Sequence, residues 1–149
     1  MITGIGVDVV GLERFAQKLE ATPRLVERLF AESERGLPVH SLAARFAAKE
    51  ALIKALGRSD GIVWSDIEVV PDEHGDPGFR LHGGVAEVVA SHGVARLHLS
   101  LTHDGGVAAA FVVAEGDGPV GGAVVGATPA SRGDAAAAAN AGDSGVSDV

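Results

Sequence analysis

Three short blocks of this 149-residue chain carry the side chains whose types and spacing could do chemistry. Asp8 sits in the apolar run Ile2 to Val10, where an ionised carboxylate without a partner is costly to desolvate. A cation bound beside it would remove that cost. The alternative is a carboxylate at the strand's exposed end, capping a helix that starts near Leu12. Glu50 and Lys54 stand four residues apart in Lys49-Glu50-Ala51-Leu52-Ile53-Lys54, hence on one helix face. They read as a surface ion pair worth about 0.3–0.5 kcal/mol. Ala47, Ala48, Ala51 and Ala55 support a second reading, because small residues let a helix approach another backbone or a ligand closely. Lys49, Glu50 and Lys54 then form a charged triplet in a buried polar site. The third block, Ser100-Leu101-Thr102-His103-Asp104, ends a strand before a glycine turn. Its Ser, His and Asp are too close in sequence for a catalytic triad, whose members converge from separate parts of a fold. His103 reads as a donor to an anion or as a residue that stabilises the turn.

Other chemistries are excluded. Gly4-Ile5-Gly6 is followed by a third glycine only at Gly11, the wrong spacing for a dinucleotide fingerprint. No Walker A pattern and no G-x-S-x-G elbow is present. His40, His74, His82, His92 and His98 show no zinc-ligand spacing such as HExxH. The formal net charge of -8 argues against nucleic acid as a partner. The chain has no cysteine, which rules out disulfides and permits a reducing compartment. No targeting segment stands out, and no run approaches the roughly 20 apolar residues of a membrane helix. A cytoplasmic protein is expected.

The elements that must hold these blocks follow from periodicity and punctuation. Residues 2–10 read as a buried strand, and 11–20 and 23–30 as helices, with Pro23 at a first helical position. The clearest helix spans 41–56, with Ser41 as its cap, Leu42, Phe46, Lys49, Ile53 and Leu56 along one stripe, and Gly57 closing it. Ile67 to Val70 and Phe79 to His82 read as strands around a turn, 84–92 as a short helix, and 96–102 and 107–114 as a final strand pair. Apolar residues make up 46% and aromatics 4%, so the core is expected to be built from Ala, Val, Leu and Ile. From Glu115 onward Gly and Ala dominate, with little large apolar surface to offset the entropy of ordering. The expected division is a folded domain over 1–114 and a disordered acidic tail over 115–149. The fold class expected is α+β, an antiparallel sheet packed against a long helix.

Taken in order, the blocks resemble the holo-acyl-carrier-protein synthases of the 4′-phosphopantetheinyl transferase superfamily. Gly4-Ile5-Gly6-Val7-Asp8, with Arg14 six residues on, resembles the family's first motif. Arg45-Phe46-Ala47-Ala48-Lys49-Glu50-Ala51-Leu52-Ile53-Lys54-Ala55-Leu56-Gly57 is similar to its R-F-A-x-K-E-A-x-x-K-A-x-G signature along its length. Ser100-Leu101-Thr102-His103 is similar to its strand-ending block, and Asp66-Ile67-Glu68-Val69 and Gly75-Asp76-Pro77 to the segments between.

The resemblance implies the phosphopantetheinyl transferase fold, trimers with active sites at subunit interfaces, and transfer of the phosphopantetheine arm of coenzyme A to apo-acyl carrier protein in fatty acid or polyketide biosynthesis. It implies Asp8 and Glu50 as Mg²⁺ ligands, a hard oxygen set of the kind that ion takes. Asp8, Glu50 and Lys54 are then the catalytic residues, with Lys54, His103 and Arg45 contacting coenzyme A. Arg45 lies about 140° around the helix from Glu50, which suits a neighbouring subunit's site or a structural role. Arg14 and Lys18 would meet the acidic carrier protein, with Arg24 and Arg28 as further candidates. Two readings compete: a catalytically silent scaffold retaining the fold, and another Mg²⁺-dependent enzyme acting on a phosphoanhydride. The chain departs from the family pattern at Gly57-Arg58-Ser59, where many relatives have G-T-G, and its segment Glu34 to Ser41 is short.

Overall fold

A helix buried on nearly every side organises the molecule, which is known here from a computed structural model describing residues 1–117. Strand β1 (Ile2–Gly11) leads into helices α1 (Leu12–Ala21) and α2 (Arg24–Leu29), a 3-10 turn at Glu32–Glu34, and the central helix α3 (Val39–Leu56). A second 3-10 turn at Trp64–Asp66 precedes the hairpin β2 (Ile67–Pro71) and β3 (Pro77–Leu81). Helix α4 (Gly83–Ser91) and strands β4 (Arg96–Asp104) and β5 (Val107–Glu115) complete the order. The expected α+β architecture holds: β1, β5 and β4 form an antiparallel sheet in that order, packed on α3, and β2–β3 form a separate two-stranded sheet.

Alternation along the strands decides which face meets α3. Val10, Ala108, Ala110, Val112 and Ala114 are buried against the helix, while Ile5, Val7, Val9 and Phe111 point away and are exposed. On the helix side, β1 presents Gly4 and Gly6. A Cβ at Gly6 would lie 1.8 Å from the Ala51 carbonyl oxygen, and one at Gly4 2.0 Å from that of Ala55. Glycine on the strand and alanine on the helix therefore bring two backbones into direct contact.

Two local expectations are corrected. Helix α3 begins at Val39, two residues early, and Ser41 lies inside its first turn. Its amide, like that of Leu42, donates to the Pro38 carbonyl, and no side chain caps the end. Gly57 does close the helix, at φ 77°. The core is built from Ala, Val, Leu and Ile as expected, joined by a small aromatic group: Phe15 stacks on Phe46 at 5.4 Å, Phe46 on Trp64 at 5.5 Å, and Phe15 meets Phe30 edge-on at 6.4 Å. Few aromatics suffice when they share one layer between α1, α2 and α3. The sheet also runs one residue beyond the expected boundary at 114, since Glu115 pairs with Ile2 and Arg96. Gly116 and Met1 exchange hydrogen bonds of 2.9 and 3.0 Å. The rest of the expected tail, 118–149, lies outside the described residues.

Candidate active site

The contact between β1 and α3 brings Asp8 and Glu50 together. Asp8 follows Gly4 and Gly6 on the helix-facing side of β1, and Glu50 projects from α3 one residue before Ala51, which receives Gly6. Both line a cavity of about 240 Å³ whose wall includes Arg14 and Lys18 of α1, Phe15, Leu29 and Phe46. Charged and apolar side chains share its lining.

Lys54 does not close the expected ion pair with Glu50. Its ammonium donates to Asp8 Oδ1 at 2.6 Å and to the Val7 carbonyl at 3.0 Å, joining helix to strand. Asp8 makes no cap: Gly11 occupies the N-cap of α1, and no side chain bonds to that helix end. Glu50 is 8% exposed. Burial, and then the like charge of Asp8, push its carboxyl above the ordinary value, with Lys54 opposing. Two carboxylates from different elements thus share one cavity with the Lys54 ammonium, Arg14 and Lys18.

The triplet Lys49, Glu50, Lys54 is split by the helix. Lys49 points away from the cavity and is fully buried, donating to Glu34 Oε2 and the Leu29 carbonyl at 2.7 Å each and to the Trp64 carbonyl at 3.3 Å. Burial pulls its pKa down, and the Glu34 carboxylate beside it acts in the opposite sense. Arg45 lies on this side too: Nη1 donates to the Ser41 carbonyl at 3.3 Å, and Nε lies 3.7 Å from Glu34 Oε1. Glu34 escaped the sequence reading. A Glu before a Gly-Leu-Pro segment has no distinguishing pattern, and only its fourfold contact in the fold marks it.

His103 is also remote from Asp8 within one chain. It pairs with Ala108, which pairs with Val10, so it stands two strands from β1, about 9–10 Å across the sheet. Its ring lies 5.6 Å from that of His40 near the start of α3. The described chain thus gathers Asp8, Glu50, Lys54, Arg14 and Lys18 and leaves Arg45 and His103 outside that cavity.

An α+β fold with a buried and a partly buried carboxylate brought together by a strand–helix contact defines a class: residues 4–112 match the 4′-phosphopantetheinyl transferase superfamily, and the chain belongs to that family. Within it, the chain is 67% identical over 119 residues to holo-[acyl-carrier-protein] synthase of Clavibacter michiganensis, covering 80% of this chain and all of that protein. The crystal structure of holo-[acyl-carrier-protein] synthase from Neisseria meningitidis superposes with a TM-score of 0.71 at 34% identity, covering 77% of this chain and 99% of that one. The Bacillus anthracis synthase in complex with coenzyme A (3′,5′-ADP) superposes at 0.64 with 35% identity, over 78% of this chain and 99% of that one.

Proposed function

We propose that the chain is a holo-acyl-carrier-protein synthase, transferring the 4′-phosphopantetheine of coenzyme A to a serine of apo-acyl carrier protein. The observation that carries this reading is the pairing of Asp8 and Glu50 in a cavity that also holds Lys54, in a chain so similar to synthases along their whole length. In the reaction, the carrier serine oxygen bonds to the β-phosphorus of coenzyme A, the bond to the bridging pyrophosphate oxygen breaks, and 3′,5′-ADP departs. The serine proton passes to a base.

The site's chemistry fits Mg²⁺. Two carboxylate oxygen donors from different elements leave most of an octahedral shell to waters and pyrophosphate oxygens, which is how that ion is commonly held. Among the described residues no third carboxylate, His or Cys joins them, so the set suits neither zinc nor a protein cage. Asp8 and Glu50 would be the ligands, and the bound ion would supply positive charge to the pyrophosphate. Lys54, 45% exposed and anchored on Asp8, would meet phosphate oxygens and protonate the departing 3′,5′-ADP. Glu50 is a candidate base, directly or through water. Arg14 and Lys18 on the cavity wall would receive the acidic carrier.

The proposed assembly is a trimer with interfacial sites. Two features support it. The sheet face turned away from α3 exposes Ile5, Val7, Val9, Val107 and Phe111, a contiguous apolar surface that water-facing sheets seldom carry. Arg45 and His103 are remote from Asp8 within the chain, so a neighbouring copy is the way they would reach coenzyme A. Among the described residues no helix is long and apolar enough to cross a membrane. The proposed setting is the cytoplasm, in fatty acid or polyketide biosynthesis.

The test is incubation with coenzyme A, Mg²⁺ and apo-carrier protein, read by mass spectrometry. The carrier should gain one phosphopantetheine, and Asp8→Ala or Glu50→Ala should abolish the gain. A carrier left unmodified points to the scaffold reading, coenzyme A cleaved without transfer points to a hydrolase, and wild-type rates in Asp8→Ala overturn the site.

A further inference from the structure

Glu50 is held by one turn of α3, whose side facing β1 carries small residues and the half-exposed Lys54, bonded to Asp8 Oδ1 and the Val7 carbonyl. Ala51 and Ala55 lie against Gly4 and Gly6, so no large side chains interlock there to fix rotation of the helix about its axis. The opposite side has a second directional tie, and this one is fully buried. All three hydrogens of the Lys49 ammonium have acceptors: Glu34 Oε2, the Leu29 carbonyl at the end of α2, and the Trp64 carbonyl. The same ammonium lies 4.8 Å from the centre of the Phe30 ring. Glu34 is equally committed, its Oε2 accepting from the Ala31 amide and its Oε1 from the Val69 amide of β2, both at 2.9 Å. Lys49 and Glu34 thus fasten α3 to α2, to both 3-10 turns and to the β2–β3 sheet.

We propose that Lys49 and Glu34 are positioning residues for Glu50, setting the azimuth of α3 so that the Glu50 carboxyl faces Asp8. The inference rests on the assignment of Asp8 and Glu50 as the reactive site. Lys49 and Glu50 are neighbours, about 100° apart around the helix, so whatever fixes one direction fixes the other. Side-chain ends lie about 5–6 Å from a helix axis, so a 10° rotation would carry the Glu50 carboxyl about 1 Å sideways. A misplacement of that size can cost about 100-fold in rate.

The test compares Glu34→Gln/Lys49→Met, Glu34→Asp and Glu50→Gln with wild type. The double variant removes both charges of the buried pair together and leaves Arg45, 20% exposed, as the one charge that loses a partner. Glu34→Asp keeps both charges but shortens the strut by one methylene, and it decides the matter if the double variant fails to fold by circular dichroism. Positioning predicts a loss in kcat of about 10–100-fold at unchanged KM for coenzyme A. It also predicts weaker Mn²⁺ binding to the coenzyme-free protein, measured by electron paramagnetic resonance. Folded variants with wild-type kcat and Mn²⁺ affinity, beside an inactive Glu50→Gln, would overturn the inference and leave the site intact. Wild-type turnover in Glu50→Gln would overturn the site assignment itself.

Discussion

Gly6→Ala perturbs the site without altering any of its functional side chains. The added Cβ would sit 1.8 Å from the Ala51 carbonyl oxygen and 2.8 Å from the Ala55 nitrogen, both backbone atoms of α3 that cannot swing aside. Ordinary contact begins near 3.4 Å, so strand and helix must separate by about 1.6 Å. Strand β1 is the one able to yield, because it is the edge of its sheet and pairs only with β5. Asp8, two residues on and facing the same way, moves with it and away from Glu50. Overpacking of this kind costs about 1–3 kcal/mol, which for a domain of this size lowers Tm by roughly 5–15 °C. The displacement should lower kcat about 100-fold. Differential scanning fluorimetry and a mass-resolved carrier-loading assay at saturating coenzyme A measure the two effects. Gly36→Ala is the control, since nothing lies within 4 Å of a Cβ there. Gly6→Ala with the Tm and kcat of that control would refute the argument that backbone contact sets the distance between the carboxylates.

The remaining predictions concern charge and surface. Because burial and Asp8 raise the Glu50 pKa above 4.5, the metal-free fold loses stability as pH climbs from about 4.5, where the unfolded chain ionises first; the loss is complete once pH exceeds the folded value and absent towards pH 4, where both states are protonated. Glu50→Gln should therefore raise Tm in EDTA at pH 7–8, with the gain vanishing towards pH 4; identical melting curves at every pH would contradict the assignment. Phe111→Asp places a charge on the outward apolar face, opposite Val7 and Ser100, and should convert the proposed trimer to monomers in multi-angle light scattering. Arg14→Ala should raise KM for the carrier and weaken its salt dependence while leaving KM for coenzyme A unchanged.

Much of the local structure was legible because it depends on neighbours in sequence. The alternation of Leu97, Leu99 and Leu101 with His98, Ser100 and Thr102 specified β4 and its inward face, and Gly57 ended α3 because a left-handed residue was needed there. The start of α3 was misread because Ser41 is a good cap by type, yet Pro38 precedes the helix and its carbonyl takes the first amides. The family motifs singled out Asp8, Glu50 and Lys54, and the fold brings these three together.

Pairing beyond the helix was not legible. Glu50–Lys54 at i, i+4 is as good an ion pair by spacing as any, but Asp8 arrives on β1 and takes the ammonium at 2.6 Å. Nor could adjacency show that Lys49 and Glu50 serve opposite sides of α3, one tied to Glu34 and the other facing Asp8. Sequence alone determined which residues could do chemistry and which elements carry them, because side-chain type and backbone periodicity are local properties. Tertiary structure decided which charges meet, because the distance between β1 and α3 depends on glycine and alanine backbones touching across more than 40 residues of chain.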